Sequence, residues 1–163
     1  MARDVKTGNM NRRQRAEKAA VASRFSEPPA REMVEHVSSR RMAETRYSFR
    51  QELWNHTAHT IMLCEEGILR RSEASRILRV LEEIGRKGAD RFPIASGTGE
   101  LLFSVEAYMV GKIGEETASR MHTGRSRGDL YVCVERMVLR EKLLQLFEML
   151  VRLLDTLLHV AAR

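Results

Sequence analysis

The stretch His122-Thr123-Gly124-Arg125-Ser126-Arg127-Gly128-Asp129 concentrates the groups in this chain best suited to chemistry. Two guanidinium groups, two hydroxyls and two glycines fall together, and an apolar-striped helical pattern follows at once. Arginine forks bind carboxylates and phosphates through paired bonds. Glycine lets a backbone come close to a ligand. The first turn of a helix adds free N–H donors and the positive end of a dipole. The combination reads as a seat for an anion, and for a carboxylate-rich one in particular.

Other clusters carry less. His56 and His59 lie one helical turn apart, with Cys64 further on, but no fourth ligand is at hand, so no metal is expected. Met62, Met109, Met121, Met137 and Met149 read as core filler. Cys64 and Cys133 sit in helical patterns without a CxxC, which suits reduced thiols and a cytoplasmic setting rather than a disulfide framework or a nucleophile. Ser96-Gly97-Thr98-Gly99 lacks the following Lys-Ser/Thr and the preceding strand of a phosphate cradle, so it reads as a hinge with Thr98 as an N-cap. Arg127-Gly128-Asp129 spells an adhesion tripeptide by coincidence, and Glu115-Glu116 is a solvated pair.

The elements that must position the loop are all helical. Apolar residues from about Arg31 to Leu69 recur at helical spacing until Gly67. Ser72, with Ser75 as the alternative, opens a second helix carrying Ile77, Leu78, Val80, Leu81 and Ile84, and Gly85 and Gly88 close it. A third helix is expected from about Glu100 to Met121. The last runs from Asp129, with two seams that include Leu139, Leu146, Leu153 and Leu144, Val151, Leu158. It would span about 52 Å at the standard rise. A helix apolar over most of its girth needs neighbours on several sides. Because the chain stops within it uncapped, the sequence is expected to be an N-terminal fragment of a longer protein or a truncated gene product.

The bulk composition agrees with one helical domain. The 163 residues are 43% apolar and 31% charged, with few glycines and prolines. No apolar run spans a membrane, and no apolar stretch of a secretory signal follows the N-terminal charges. The net charge is +6, but residues 1–24 hold seven basic residues against two acidic ones and so account for +5 of it. That basic leader, 1–31, lacks interleaved aromatics before Phe25, so nucleic acid is not an expected partner.

Met121-His122-Thr123-Gly124-Arg125-Ser126-Arg127-Gly128-Asp129 resembles the K-L-H-T-G-R-S-R-N-D segment of the fumarase/aspartase superfamily, and most closely that of its argininosuccinate lyases. Val105-Glu106-Ala107 resembles the family's I-E-A, and Asn55 to Leu63 resembles its D-I-A-H-x-x-M-L segment. The resemblance covers about residues 40–163. It implies an all-α fold, with a helical domain over 32–121, a substrate-binding loop over 122–128 and, over 129–163, the first long helix of a central bundle. It also implies a homotetramer, a small dicarboxylate substrate, no cofactor, and β-elimination of argininosuccinate to arginine and fumarate. Ser126 would hydrogen-bond a substrate carboxylate, Arg127 would support the same anion, and Thr123 and Arg125 would position the loop.

Two positions depart from the pattern. Gly128 stands where the family has an asparagine. The histidine of the family's Asp-x-His falls on Leu102 or Phe103, with Glu100 in place of the aspartate. These departures favour, as the alternative, a relative acting on another N-substituted aspartate or amino acid, or a non-catalytic bundle subunit. The family's catalytic histidine and serine base lie in later segments, so no catalytic residue is expected here, and this stretch alone is expected not to turn over substrate.

Overall fold

A computed structural model describes residues 30–94 and 100–163. Among them there are helices and turns and no strand. The leader before residue 30 and the Ser96–Gly99 hinge, with its expected cap at Thr98, lie outside the described residues. No helix among the described residues is long and apolar enough to cross a membrane. The chain divides into two compact units, Met1–Gly124 and Arg125–Arg163.

In the first unit, a helical turn Arg31–Met33 and a π-helical turn Val34–Ser38 run into α1 (Ser39–Glu65). α1 ends where the sequence places its break, because Gly67 takes φ 69°, a conformation that favours glycine, and lets the amides of Ile68 and Leu69 return to the Leu63 carbonyl. α2 (Arg71–Arg91) follows. Neither Ser72 nor Ser75 caps it. Arg70 occupies the N-cap, and its N–H donates to Glu73 Oε2 at 2.8 Å, so an acidic side chain three residues on does the capping. Gly88 kinks this helix, at φ 72° and ψ 167°, and does not end it; the Gly85 position stays helical.

The third expected helix is two. α3 (Leu101–Ile113) stops at Gly114, whose φ is 84°, and α4 (Glu115–Ser119) begins beyond it, followed by a 3-10 turn Arg120–His122. The core lies among α1, α2 and α3. Ile77, Ile84, Leu101, Val105 and Met109 are fully enclosed, and Phe92 stacks edge-on to Tyr108 with ring centroids 5.5 Å apart. The Tyr108 hydroxyl donates to the Glu83 carboxylate and accepts from Lys87, and Lys112 Nζ reaches Glu83 Oε1 at 3.0 Å. This polar clamp ties α2 to α3.

The second unit is essentially α5 (Arg127–Ala161). It starts two residues before the position read from the sequence. Leu130 and Val134 are its buried residues; its leucines from Leu139 onward are exposed.

Candidate functional site

The loop is held at both ends by bonds that local sequence does not announce. On the first unit's side, Arg120 Nη1 meets Glu73 Oε1 at 2.5 Å and its Nη2 donates to the Ile68 carbonyl at 2.9 Å. One side chain thus fastens the 3-10 turn to the α1–α2 connection. The Arg70 N–H first, and the Arg120 guanidinium after it, hold the Glu73 carboxyl below its usual pKa. Met121, fully buried, anchors the same turn from within. His59 on α1 then holds the Thr123 carbonyl through Nε2 at 2.9 Å, across 64 positions of sequence. Gly124 follows at φ 70°, a left-handed conformation that a side chain would strain.

On the second unit's side, Ser126 is the N-cap of α5. Its Oγ accepts from the Asp129 N–H at 3.1 Å, while Asp129 Oδ2 accepts from the Ser126 N–H at 2.9 Å and from its hydroxyl at 2.8 Å. This reciprocal box satisfies two of the backbone donors that a helix start leaves open. The Ser126 N–H and hydroxyl, with help from Arg125, lower the Asp129 pKa, so the carboxylate stays charged beside the helix dipole. The Ser126 proton therefore has an intramolecular acceptor, and a substrate carboxylate would compete with Asp129 for it.

The five residues read from the sequence differ in exposure. Thr123, Ser126, Arg127 and Gly128 are exposed, and Arg125 is half-buried. Gly128 is inside the first turn of α5 with no left-handed backbone, and a Cβ built there would meet Ser126 Oγ at 3.4 Å. Glycine is thus not demanded by conformation at the position where the family has an amide. At the other departure, Leu102 is 1% exposed in the core and Phe103 is half-buried. Glu100, at the N-cap of α3, is buried as well.

Two cations were not singled out in the sequence. Arg136 and Arg140 border a shallow groove along α5 that starts at Gly128 and passes Val132. The spacing of four from Gly128 through Val132 and Arg136 to Arg140 was the available signal, since such residues share one helix face. Among the described residues, no three His, Cys, Asp or Glu side chains converge as a metal site requires.

No protein-family model matches the chain. No solved structure matches it either. Among curated proteins it is similar to argininosuccinate lyase 1 of Shouchella clausii, 34% identical over 144 residues, which is 86% of this chain and 28% of that protein. It is 37% identical over 106 residues to the argininosuccinate lyase of Methanocaldococcus jannaschii, covering 65% of this chain and 22% of that protein. It is 33% identical over 140 residues to that of Methanosarcina acetivorans, covering 86% and 28%. The chain thus spans between 22% and 28% of the length of these relatives.

Proposed function

The chain belongs to the argininosuccinate lyase family, and from that premise we propose that the whole protein eliminates fumarate from argininosuccinate, with residues 122–128 contributing the carboxylate-binding loop. The observation that carries this reading is the loop's preorganisation. Its first half is fastened by Arg120 and His59, and its second half opens α5 through the Ser126–Asp129 box.

The chemistry asks for such a seat. Taking a proton from the carbon beside a carboxylate leaves a dianionic aci-carboxylate, so donors must already point where charge develops. The N–H groups at the start of α5, the Arg127 guanidinium, and the Ser126 hydroxyl once a substrate carboxylate draws it from Asp129, are donors of that kind. Thr123 and half-buried Arg125 position the backbone around them. The proton acceptor lies outside this stretch, so these residues bind and orient.

The whole protein would work as a homo-oligomer, a tetramer by analogy with the family. The exposed leucines of α5 support this, since a helix apolar on several sides is stable when packed among others. A cytoplasmic setting agrees with the free thiols of Cys64 and Cys133.

A second reading rests on Leu102 or Phe103 and on Gly128. An enclosed Leu102 or half-buried Phe103, and a bare backbone at Gly128, stand where the family has two polar contacts, which favours another N-substituted aspartate or amino acid as substrate. One chimera separates the readings: residues 40–163 of this chain replace the matching segment of the Shouchella clausii relative. Arginine release from argininosuccinate supports the first reading. A correctly assembled chimera that yields no arginine, yet releases fumarate from another N-substituted aspartate, supports the second. An assembled chimera that releases no fumarate from any of these leaves a non-catalytic subunit.

A further inference from the structure

The turn that opens the loop leaves one backbone donor unspent. Thr123 lies at φ −57° and ψ 133°, and Gly124 follows at φ 70°. These are the two central residues of a type II turn, whose second position calls for a left-handed residue. The Thr123 N–H donates to the Arg120 carbonyl at 3.2 Å, and the Thr123 carbonyl is held by His59 Nε2 at 2.9 Å. A carbonyl oxygen only accepts, so Nε2 carries a proton in this bond. The next backbone group is the Gly124 N–H, which has no protein acceptor among the described residues, and Gly124 is exposed.

The Thr123–Gly124 peptide is trans and planar, so its carbonyl and its N–H point in opposite directions. His59 on α1 takes the carbonyl, and the N–H therefore faces away from α1. A type II turn has a competing form, type I, reached by turning this one peptide over. Glycine tolerates both conformations. In the turned form the carbonyl oxygen faces where the N–H does now, and it repels the carboxylate that the N–H attracts. The bond from His59 selects between the two forms. His59, Thr123 and Gly124 all belong to the first unit, and half-buried His59 sits on the 27-residue α1.

We propose that the Gly124 N–H is a further carboxylate donor of the loop, and that His59 is the positioning residue that aims it. The proposal rests on the reading of residues 122–128 as a carboxylate seat, and adds to that seat a donor that precedes α5. His59 acts through the Thr123 carbonyl and does not touch substrate. Its role needs no charged imidazole, since neutral Nε2–H and imidazolium both donate.

Amide NMR tests it on the 163-residue chain, with Leu146→Glu and Leu150→Glu added to suppress association through α5, and with succinate as the probe at constant ionic strength. Succinate should move the Gly124 amide proton downfield together with the Arg127 and Gly128 amides. His59→Leu should abolish most of the Gly124 response while the Arg127 and Gly128 amides still respond. His59→Gln, whose side-chain amide also donates to a carbonyl, should restore it. Circular dichroism checks that each variant remains helical. In the chimera, His59→Leu should lower kcat/KM of the assembled protein about ten-fold, the loss expected for one hydrogen bond to a charged group, and His59→Gln should recover most of it. A purely structural role for His59 would instead lower the yield of assembled chimera and leave kcat/KM unchanged. Responding Arg127 and Gly128 amides beside an unmoved Gly124 overturn the proposal and leave the seat in place. A Gly124 response that persists in His59→Leu overturns the role of His59. No response anywhere between 122 and 129 overturns the seat and the proposal with it.

Discussion

The hairpin of α1 and α2 and the far half of α5 are built from similar residues and end in opposite states. Ile77 and Ile84 of α2 are completely buried, whereas the large apolar residues of α5 from Leu139 to Val160 are 45–69% exposed. Helical propensity does not separate them. What differs is whether the chain supplies a surface to pack against, since burial contributes about 25 cal/mol for each Å² taken from water. The hairpin closes on itself through α3, Phe92 and the Glu83–Tyr108 clamp. α5 has stability to gain from neighbours beyond its own unit.

The strongest way to break this comparison is to truncate equivalent side chains in both regions. Ile77→Ala or Ile84→Ala should cost the first unit about 2–5 kcal/mol by urea denaturation, through lost transfer energy and the cavity left behind. Leu150→Ala, measured on dilute chain, should change stability by less than about 0.5 kcal/mol. Equal losses at the two places would mean that α5 is already packed. The complementary change, Leu146→Glu with Leu150→Glu, should lower the mass found by light scattering while leaving the urea midpoint of the first unit in place.

The regions also differ in how much of them the sequence reveals. Helix type, the break at Gly67 and the two seams of α5 were legible, because apolar spacing and a left-handed glycine act over a few residues. The end of α3 at Gly114 was missed, although a glycine after Lys112-Ile113 is the ordinary C-terminal signal. Ser72 looked like a cap because serine prefers that role, but Glu73 captures the Arg70 amide and shifts the start upstream. In the site, residue types were readable and the ties were not. His59 to Thr123 and Arg120 to Glu73 join positions 64 and 47 residues apart, and no local period encodes such pairs. The Ser126-x-x-Asp129 box was within reach, yet it was obscured by reading the helix from Asp129.

A smaller effect separates the helix start from the helix body. Ser126→Ala removes the acceptor of the Asp129 amide and should cost about 1 kcal/mol in denaturation, the usual loss for an N-cap. If the hydroxyl serves capping alone, the chimera carrying it should keep the KM of its parent once folded. If it also binds substrate, KM should rise well beyond what the stability loss explains.

Acid pH probes the polar ties. The Tyr108 hydroxyl first, and Lys112 second, hold the Glu83 carboxyl at about 2. A carboxyl depressed in the folded state contributes stability that is full above its ordinary pKa of 4.5 and fades as pH falls toward about 2. Glu83→Gln should flatten the fall in the urea midpoint over that window and leave it unchanged between pH 6 and 8 relative to its own plateau. A slope identical to the parent's would show that the clamp does not couple to folding.

The smallest expected change in stability asks the sharpest question about function. Gly128 is helical, its backbone is not left-handed, and a Cβ there meets only Ser126 Oγ at 3.4 Å. Gly128→Asn should therefore fold and gain about 0.3 kcal/mol from better helix propensity. In the chimera it also restores an amide in the first turn of α5, beside the Ser126 hydroxyl. If Gly128 is what separates this loop from its relatives, the substitution should lower KM for argininosuccinate and raise kcat/KM, with little change for another N-substituted aspartate. If neither substrate responds, the difference lies at Leu102 or Phe103, where an enclosed leucine or a half-buried phenylalanine stands in place of the family's histidine whatever the loop presents.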